Sequence, residues 1–262
     1  MTIFLAAESS GAWEQLAPGM DFGTFTIEKP GPTDDSQILI LRIDPKLWKL
    51  VLIGKSWTGE SENKTAKEWC ESHNLTAAIN AGMFATDYTT HVGYLASKGH
   101  INSSHVNKYM SVAAFDPKKG KELPEVRLFD LDAPNVTMDK ILSDYSSVAQ
   151  NLRLIKRPGE NRWRQQGKMW SEAALGEDHD GRVLFIFSRS PFTMHDFNRE
   201  LLSLGIGLVA AQHLEGGPEA QLYLHIGKVR REMFGSYETS FKENDENTAS
   251  WRIPNVLGIR PR

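Results

Sequence analysis

Residues 170–187 read WSEAALGEDHDGRVLFIF and contain two apolar runs on either side of acidic residues and an Asp-Gly step. An Asp-Gly step between apolar runs is typical of a β-hairpin, because glycine accepts the positive φ that tight hairpin turns need. The pattern predicts that residues 173–175 pair antiparallel with residues 183–187. A calcium-binding loop is the alternative, but its twelfth position, counted from Asp178, holds Arg189 where such loops need a glutamate. We therefore favour the hairpin.

Further short apolar runs, bounded by glycine, proline and asparagine, predict additional strands on both sides of this hairpin. They cover residues 24–28, 37–42, 49–53, 75–79, 111–115, 126–131, 147–155, 182–187, 207–214 and 221–226. The sequence contains no internal repeat and no long low-complexity linker. We therefore expect one continuous domain over residues 1–262.

Two segments have the start signals and spacing of helices. Thr65 and Glu68 form a capping box, followed by apolar residues on one helical face up to Asn74. The second segment, residues 193–204, begins at Thr193 and repeats apolar residues at helical spacing. Cys70 lies on the apolar face of the first helix, so we interpret it as a small core side chain rather than a nucleophile.

Composition and charge exclude several classes of protein. The chain has 262 residues, 30 basic and 33 acidic side chains and a formal net charge of −3. Without a dense basic cluster it has no electrostatic footprint for nucleic acid. Its longest apolar stretches, including residues 201–211, are far shorter than the roughly 20 residues that span a bilayer.

Metal and disulfide chemistry have little support in the sequence. A single cysteine excludes an internal disulfide, and the eight histidines show no paired zinc-ligand spacing. We predict no metal and no cofactor. A divalent cation held by Asp178, Asp180 or Glu215 is kept as an alternative that would assist hydrolysis.

Residues 214–219 read LEGGPE and place Glu215 at the end of an apolar run, directly before Gly216 and Gly217. Two glycines let a ligand approach the main chain, whose N–H groups can then face an oxyanion. The alternative is a solvated hairpin turn with an incidental glutamate. The motif by itself leaves both open.

Glu172 is the second carboxylate of interest, because it lies among small and apolar residues. Such a glutamate either points outward or is held with a raised pKa as a general acid beside a second carboxylate. Two carboxylates brought together from different strands are the minimal equipment for transfer of a glycosyl group to water. Aromatic and amide side chains suited to binding sugars are Asn80, Tyr94, Tyr109, Gln150 and Trp170.

Several short motifs occur in one order along the chain. They are Asn80-Ala-Gly-Met-Phe84, His91-Val-Gly93-Tyr-Leu, Ala174-Leu-Gly176, Asp180-Gly181-Arg-Val-Leu, Leu204-Gly205 and Leu214-Glu-Gly-Gly217. The series resembles the phosphodiester glycosidase family over residues 75–224. The resemblance implies an α+β fold with a central, largely antiparallel sheet flanked by a few helices. It also implies a polar cleft and hydrolysis of a glycosidic bond whose leaving group can be a phosphodiester.

The resemblance also assigns residues, and the chain departs from the family at some of them. Asn80, Gly216 and Gly217 match the family pattern, whereas Glu215 stands where the family usually has Asp. Glu172 stands where the family usually has Arg, and Pro218-Glu219 replaces a Gly and a Ser. Because an arginine is a favoured phosphate binder, its loss makes a glycoside with another leaving group more plausible. The chain resembles a divergent subgroup.

We expect an exported glycosidase that acts on a bacterial envelope or extracellular glycan or on a glycosyl phosphodiester. In this hypothesis Glu172 and Glu215 are the acid and the base or nucleophile. The expected location is periplasmic or extracellular, with the apolar run at residues 1–7 as the remnant of a removed signal peptide. The alternative is a non-catalytic carbohydrate- or phosphate-binding module with the same cleft.

The remaining candidates are side chains that we expect to bind the substrate. Arg153 and Arg189 would supply a cation to the cleft, and residues 235–238 and 253–255 would line it. The complete set of expected binding residues is Asn80, His91, Tyr94, Gln150, Arg153, Trp170, Arg189, Gly216 and Gly217.

Overall fold

The computed structural model of the chain describes residues 12–27, 33 and 35–262. The apolar run at residues 1–7 and the last residue of the strand expected at 24–28 lie outside the described residues. None of the helices in the described part of the chain is long and apolar enough to cross a bilayer.

The described residues form eighteen β-strands, four α-helices and one short 3₁₀ turn at Gly217–Glu219. In chain order the strands are β1 (Ala12–Ala17), β2 (Met20–Thr26), β3 (Gln37–Ile43), β4 (Trp48–Gly54), β5 (Ala77–Asn80), β6 (Leu95–Ser97), β7 (His100–Ser103), β8 (Ser111–Pro117), β9 (Val126–Asp130), β10 (Tyr145–Asn151), β11 (Arg153–Lys156), β12 (Glu160–Asn161), β13 (Trp170–Asp178), β14 (Val183–Phe192), β15 (Leu208–Gly216), β16 (Gln221–Ile226), β17 (Val229–Phe234) and β18 (Asn255–Pro261). The helices are α1 (Lys55–Thr58), α2 (Ala66–His73), α3 (Met138–Asp144) and α4 (Met194–Ser203).

The strands form three antiparallel sheets rather than the one central sheet that was expected. The first has the order β1-β2-β3-β14-β13-β15-β11-β12, the second β7-β6-β10-β8-β9 and the third β17-β16-β5-β18-β4. The antiparallel pairing is as expected. The helices are few and short, so the fold is mainly β and α+β describes it only approximately.

The predicted hairpin is confirmed as β13 and β14, which lie side by side near the middle of the first sheet. Ala174 pairs with Ile186 across it. Asp178 Oδ1 closes the turn by accepting hydrogen bonds from the backbone N–H groups of Asp180 and Arg182, at 3.0 and 2.8 Å. The described residues contain no group of three or more His, Cys, Asp or Glu side chains that could hold a metal.

Two strand predictions need correction. The run expected at residues 147–155 is divided between β10 in the second sheet and β11 in the first. Apolar character continues through it because both halves are buried, and periodicity alone could not show the change of sheet. The run expected at residues 207–214 continues as β15 through Gly216, so Glu215 lies within a strand rather than in a turn after one.

Both predicted helices form. The side chain of Thr65 accepts a hydrogen bond from the Glu68 backbone N–H, and the Glu68 carboxylate accepts one from the Thr65 backbone N–H, so the capping box of α2 is complete. Thr193 caps α4 in the same way through the Asp196 N–H. Cys70 is a buried free thiol in a cluster that α2 makes with the third sheet, as its position on the apolar face predicted.

The largest apolar cluster lies where the three sheets meet. It contains Leu41 and Phe185 from the first sheet, Phe115 from the second, and Ile79 and Leu257 from the third. A second cluster forms between α4 and the opposite face of the first sheet. The ends of β13 and β15 therefore lie beside two packed cores, which fix the backbone on which the candidate site is built.

Candidate active site

The candidate site is centred on a buried pair formed by Glu172 and His213. His213 Nδ1 lies 2.6 Å from Glu172 Oε1, and the two residues are 4% and 2% exposed. A carboxylate that faces an imidazole at this distance fixes the ring orientation and favours the proton on Nδ1. The outer nitrogen, Nε2, is then the atom of His213 that can exchange a proton with a substrate or water.

Trp170 completes the surroundings of Glu172. Its indole Nε1 donates to Glu172 Oε2 at 2.8 Å, and its ring lies edge-on to His213 with 6.0 Å between centroids. Both carboxylate oxygens of Glu172 are thereby engaged. Glu172 is held in place as a partner of His213.

Electrostatics couple the two members of the pair. Burial raises the pKa of Glu172, and the charge of His213 and the two hydrogen bonds oppose that shift. Burial acts in the opposite direction on His213, but the carboxylates of Glu172, Glu215 and Glu238 outweigh it and the pKa of His213 is raised. His213 is therefore more basic than an ordinary histidine.

Glu215 is the third ionisable group and lies on β15, two residues after His213. Burial raises the pKa of Glu215 to about 8, against the lowering effects of the His213 charge and of a 3.1 Å hydrogen bond from the Gly216 N–H. Nearby Glu219 and Glu238 raise it further. Glu215 therefore holds its proton at neutral pH, which is the state that a general acid needs.

A β-bulge brings these groups to the same end of the sheet. Ala174 lies opposite His213 whereas Ala173 lies opposite Glu215, so β15 has one residue more than β13 at this point. Bulges re-aim side chains and are common beside active sites. Because β15 continues to Gly216, it carries both His213 and Glu215 beside Glu172 on β13.

The paired glycines are required by close packing. A Cβ on Gly216 would lie 2.6 Å from Trp170 Cδ1, and one on Gly217 would lie 2.5 Å from Glu238 Oε2. Gly217 also has a φ of +60°, which favours glycine. The chain can pass this close to Trp170 and Glu238 only without side chains.

Glu238 and Glu219 make the site strongly acidic. The 235–242 segment runs beside β13, since Ser171 N–H donates to Tyr237 O and Trp170 forms a β-bridge with Glu238. Burial raises the pKa of Glu238 and raises that of Glu219 to about 7. The charges of His213 and Lys168 oppose the rise in the pKa of Glu238.

Asn80 supports the turn after the glycines. Its Nδ2 donates to Glu219 O at 2.9 Å and its Oδ1 accepts from the Gln221 N–H at 2.7 Å. Asn80 is 1% exposed, and both ends of its amide are used. It is tied to the Glu219 main chain, and its hydrogen bonds do not include Glu172 or Glu215.

His91, Tyr94 and Gln150 form a separate polar network. His91 Nε2 lies 2.9 Å from Gln150 O, and burial lowers the pKa of His91 to about 4. Gln150 Oε1 accepts from the backbone N–H groups of Tyr94 and Asn107, and its Nε2 donates to Asn107 O and Tyr109 O. These contacts fasten the segment before β8 to β10.

The two candidate arginines are engaged elsewhere. Arg189 donates to Asp245 Oδ1 at 2.8 Å and to the carbonyls of Phe234 and Asn247, so it secures the chain after β17. Arg153 forms ion pairs with Asp132 at 2.7 Å and Asp130 at 3.4 Å. Neither guanidinium is bonded to Glu172 or Glu215.

Sequence reasoning therefore missed His213 and did not assign a role to Glu219. His213 stands two residues before Glu215, but a bulge between them breaks the alternation of faces, so the spacing could not identify it. Glu238 lies in the 235–238 segment expected to line the cleft, and it does lie beside Trp170 and Gly217.

The chain belongs to the phosphodiester glycosidase family: the family model described as NAGPA, phosphodiester glycosidase, matches residues 73–260. The match confirms the resemblance found in the sequence. It extends beyond residue 224 and takes in the segment that carries Glu238. A comparison with curated protein sequences finds no match.

Solved structures share the fold. The catalytic domain of zebrafish N-acetylglucosamine-1-phosphodiester alpha-N-acetylglucosaminidase, auto-inhibited by its pro-peptide, aligns with a TM-score of 0.67 and 14% identity over 98% of this chain and 89% of that one. A hypothetical protein from Synechocystis aligns with a TM-score of 0.66 and 13% identity, over 96% of this chain and 64% of that one. A candidate exported protein from Burkholderia pseudomallei has a TM-score of 0.54 and 9% identity, over 86% and 74% of the two chains.

Proposed function

We propose that the protein is a glycoside hydrolase of phosphodiester-glycosidase type in which Glu215 is the general acid and Glu172 acts as base through His213. The observation that carries the proposal is the 2.6 Å contact between Glu172 and His213. His213 lies on the same strand as Glu215. Family membership supports the reaction type.

The acid step uses the raised pKa of Glu215. With a pKa of about 8 its carboxyl group is protonated at neutral pH. It donates that proton to the glycosidic oxygen as the bond to the anomeric carbon breaks, and becomes a carboxylate. The neighbouring Gly216 N–H then stabilises the new negative charge.

The base step uses His213 Nε2 in the deprotonated form of the ring, whose fraction increases as pH rises towards the raised pKa of His213. A water molecule gives one proton to Nε2 while its oxygen bonds to the anomeric carbon, and Glu172 stabilises the resulting imidazolium. Because both oxygens of Glu172 are held by His213 and Trp170, a base role fits Glu172 better than a nucleophilic role. Attack by water in a single displacement inverts the anomeric centre.

The charge of the site bears on the substrate. Glu172, Glu215, Glu219 and Glu238 surround the reacting region, and a phosphate leaving group would be repelled by whichever of them are ionised. We therefore favour a bacterial envelope or extracellular glycan over a glycosyl phosphodiester. The half-buried Trp170 ring supplies a platform for a sugar face, beside Gly216 and Gly217.

Location and domain organisation belong to the same proposal. Export to the periplasm or the exterior is supported by the fold shared with a candidate exported protein. A single domain over residues 1–262 is supported by the apolar cluster to which all three sheets contribute.

The test is a product assay with neutral and acidic cell-wall glycans, aryl glycosides and glycosyl phosphodiesters. We expect release of a reducing sugar by the wild type, of inverted anomeric configuration by proton NMR, and loss of release in Glu215→Gln. Product with retained configuration would overturn the base role of Glu172. Binding of a glycan without any product, unchanged in Glu172→Gln and Glu215→Gln, would establish the binding module instead.

A further inference from the structure

A cavity of about 250 Å³ lies beside β11, and its charged lining residues are positive. Its lining includes Lys108, Arg153, Arg162 and Arg164 and no acidic residue. The chain as a whole has a formal net charge of −3, so four cations around one groove are a local departure from the average surface. We call this cavity the basic groove.

The cations of the basic groove differ in how far they are already paired. Arg153 is bound to Asp132 and Asp130, and Arg162 is bound to Glu160 at 2.9 Å. Lys108 and Arg164 are exposed and form no ion pair among the described residues. These two therefore supply net positive charge that a bound anion can neutralise.

Trp163 gives the basic groove an aromatic wall. Its indole Nε1 donates to Arg153 O at 2.7 Å and its backbone N–H donates to Asn161 Oδ1 at 3.1 Å. The side chain is half-buried and oriented by these contacts before any ligand arrives. A fixed indole binds the apolar face of a sugar ring at low entropic cost, while neighbouring cations bind an acidic substituent.

The basic groove adjoins the candidate active site along the sheet. Leu152, which lines the groove, accepts a hydrogen bond at its carbonyl from the His213 N–H at 2.8 Å. Leu152, Trp163 and Trp170 also pack against the same apolar cluster, on the face that carries α4. The groove therefore adjoins β15, the strand that carries His213, and β15 in turn pairs with β13, which carries Glu172.

The geometry points to a subsite in the basic groove for a sugar unit that carries a carboxylate or phosphate, next to the sugar at the cleaved bond. This inference rests on the proposed function in taking the groove's occupant as part of the substrate. The acidic reacting site and the basic groove then select a glycan with a neutral unit at the cleavage point and an acidic neighbour. A volume of about 250 Å³ lies just below the roughly 300–1,000 Å³ of sites for drug-sized ligands, and suits one such unit.

The experiment measures binding to the full chain carrying Glu215→Gln, so that turnover does not consume the probe. The probes are glucuronate, glucose 6-phosphate, inorganic phosphate and glucose, titrated by ligand-observed NMR. We expect at least one acidic sugar to bind about tenfold more tightly than glucose, and which one binds identifies the acidic group. The double variant Lys108→Glu, Arg164→Glu should weaken binding of that acidic sugar by about tenfold or more, since each exposed charge contributes up to about 1 kcal/mol to binding.

The matched control is Lys228→Glu, which reverses an exposed lysine in the turn between β16 and β17. It should change binding less than about twofold, because surface charges farther apart than about 10 Å are largely screened. Equal affinity for glucose, equal weakening by Lys228→Glu, or inorganic phosphate bound as tightly as both acidic sugars would overturn the subsite. Hydrolysis without any preference for acidic glycans would overturn it while leaving the proposed function intact. Binding of acidic sugars by a chain without hydrolase activity would overturn the proposed function and leave the subsite intact.

Discussion

His213 and His91 are buried to a similar degree, at 4% and 1% exposure, yet their surroundings give them opposite properties. His213 faces the carboxylate of Glu172, and its pKa is raised. His91 faces the carbonyl of Gln150, and burial lowers its pKa to about 4. Burial alone suppresses the charged form of a histidine, whereas a carboxylate partner restores it. The partner therefore determines which histidine can take part in proton transfer and which one holds the fold together.

The most severe test of this contrast is Glu215→Gln, which keeps the shape of the acid and removes its proton. We expect kcat/KM to fall about 10³-fold, within the roughly 10²–10⁴-fold range of general acid catalysis. Steady-state kinetics on a substrate found in the product assay measure it. The exposed residue Glu122 provides the control, and Glu122→Gln should keep full activity.

The same acid fixes the alkaline side of the pH profile. The wild-type rate should decline as pH rises through about 8, where Glu215 loses its proton. A rate that stays constant to pH 10 would mean that another group supplies the proton.

The second test asks whether Glu172 and His213 act as one unit. Glu172→Gln and His213→Ala should each lower kcat by about 10²-fold, and the double variant should be no worse than the poorer single one, because groups that act together are not additive. If kcat of the double variant fell by the product of the two single losses, Glu172 and His213 would act independently. Circular dichroism on each variant controls for misfolding.

The third test applies the same truncation to the other histidine. His91→Ala should lower the free energy of unfolding by about 2–3 kcal/mol, since it opens a cavity and leaves Gln150 O without its partner. Urea unfolding measures this loss. At temperatures where the variant is folded, kcat should remain within about threefold of the wild type. A loss of kcat as large as that of His213→Ala would erase the distinction between the two sites.

The fourth test uses pH to separate the sites by their effects on stability. The pKa of Glu215 is raised from 4.5 to about 8 in the folded protein, so its contribution is present at low pH and is lost as pH rises between those values. The pKa of His91 is lowered from 6.5 to about 4, so its contribution is present above 6.5 and is lost as pH falls towards 4. As pH rises towards 8, Glu215→Gln should therefore gain stability relative to the wild type. As pH falls from 6.5 towards 4, His91→Ala should lose less stability than the wild type does. If the free energy of unfolding depended on pH in the same way for the wild type, Glu215→Gln and His91→Ala, the pKa shifts assigned to Glu215 and His91 would both be contradicted.

The smallest effect is expected from Trp170→Phe, which removes the Nε1 hydrogen bond to Glu172 and keeps an aromatic ring. Loss of one hydrogen bond to a buried charged group should cost about 1–2 kcal/mol of stability and about tenfold in kcat. Trp69→Phe is the matched control, because its indole donates to a backbone carbonyl, that of Ile253, outside both the Glu172 and His213 pair and the basic groove. Equal loss of kcat in both variants would show that the effect is not specific to Glu172.

Local sequence signals predicted much of the framework. The Asp-Gly hairpin, the capping box at Thr65 and the helix start at Thr193 all form, because each depends on residues within a few positions of one another. The division of the run at residues 147–155 between β10 and β11 and the three-sheet arrangement were not predicted, since pairing partners lie far apart in the chain and apolar runs do not specify their sheet.

The candidate site divides in the same way. The LEGG motif and the buried setting of Glu172 directed attention to two of its acids, and the family pattern supported them. His213 was passed over because nothing in its neighbours along the chain distinguishes it from the other histidines. Arg189 and Gln150 looked like binding groups because the sequence does not reveal that backbone carbonyls and N–H groups already occupy them.

By itself, the sequence determined the periodicity of the strands, the ends of α2 and α4 and the kinds of chemical group available. The tertiary structure decided which groups meet: β13 and β15 are separate in the chain, and their pairing places His213 against Glu172 and puts Glu215 opposite Ala173. Proton affinity depends on distance and burial, which vary with three-dimensional contacts between remote residues. The proposed acid, the proposed base and the basic groove therefore depend on the folded chain.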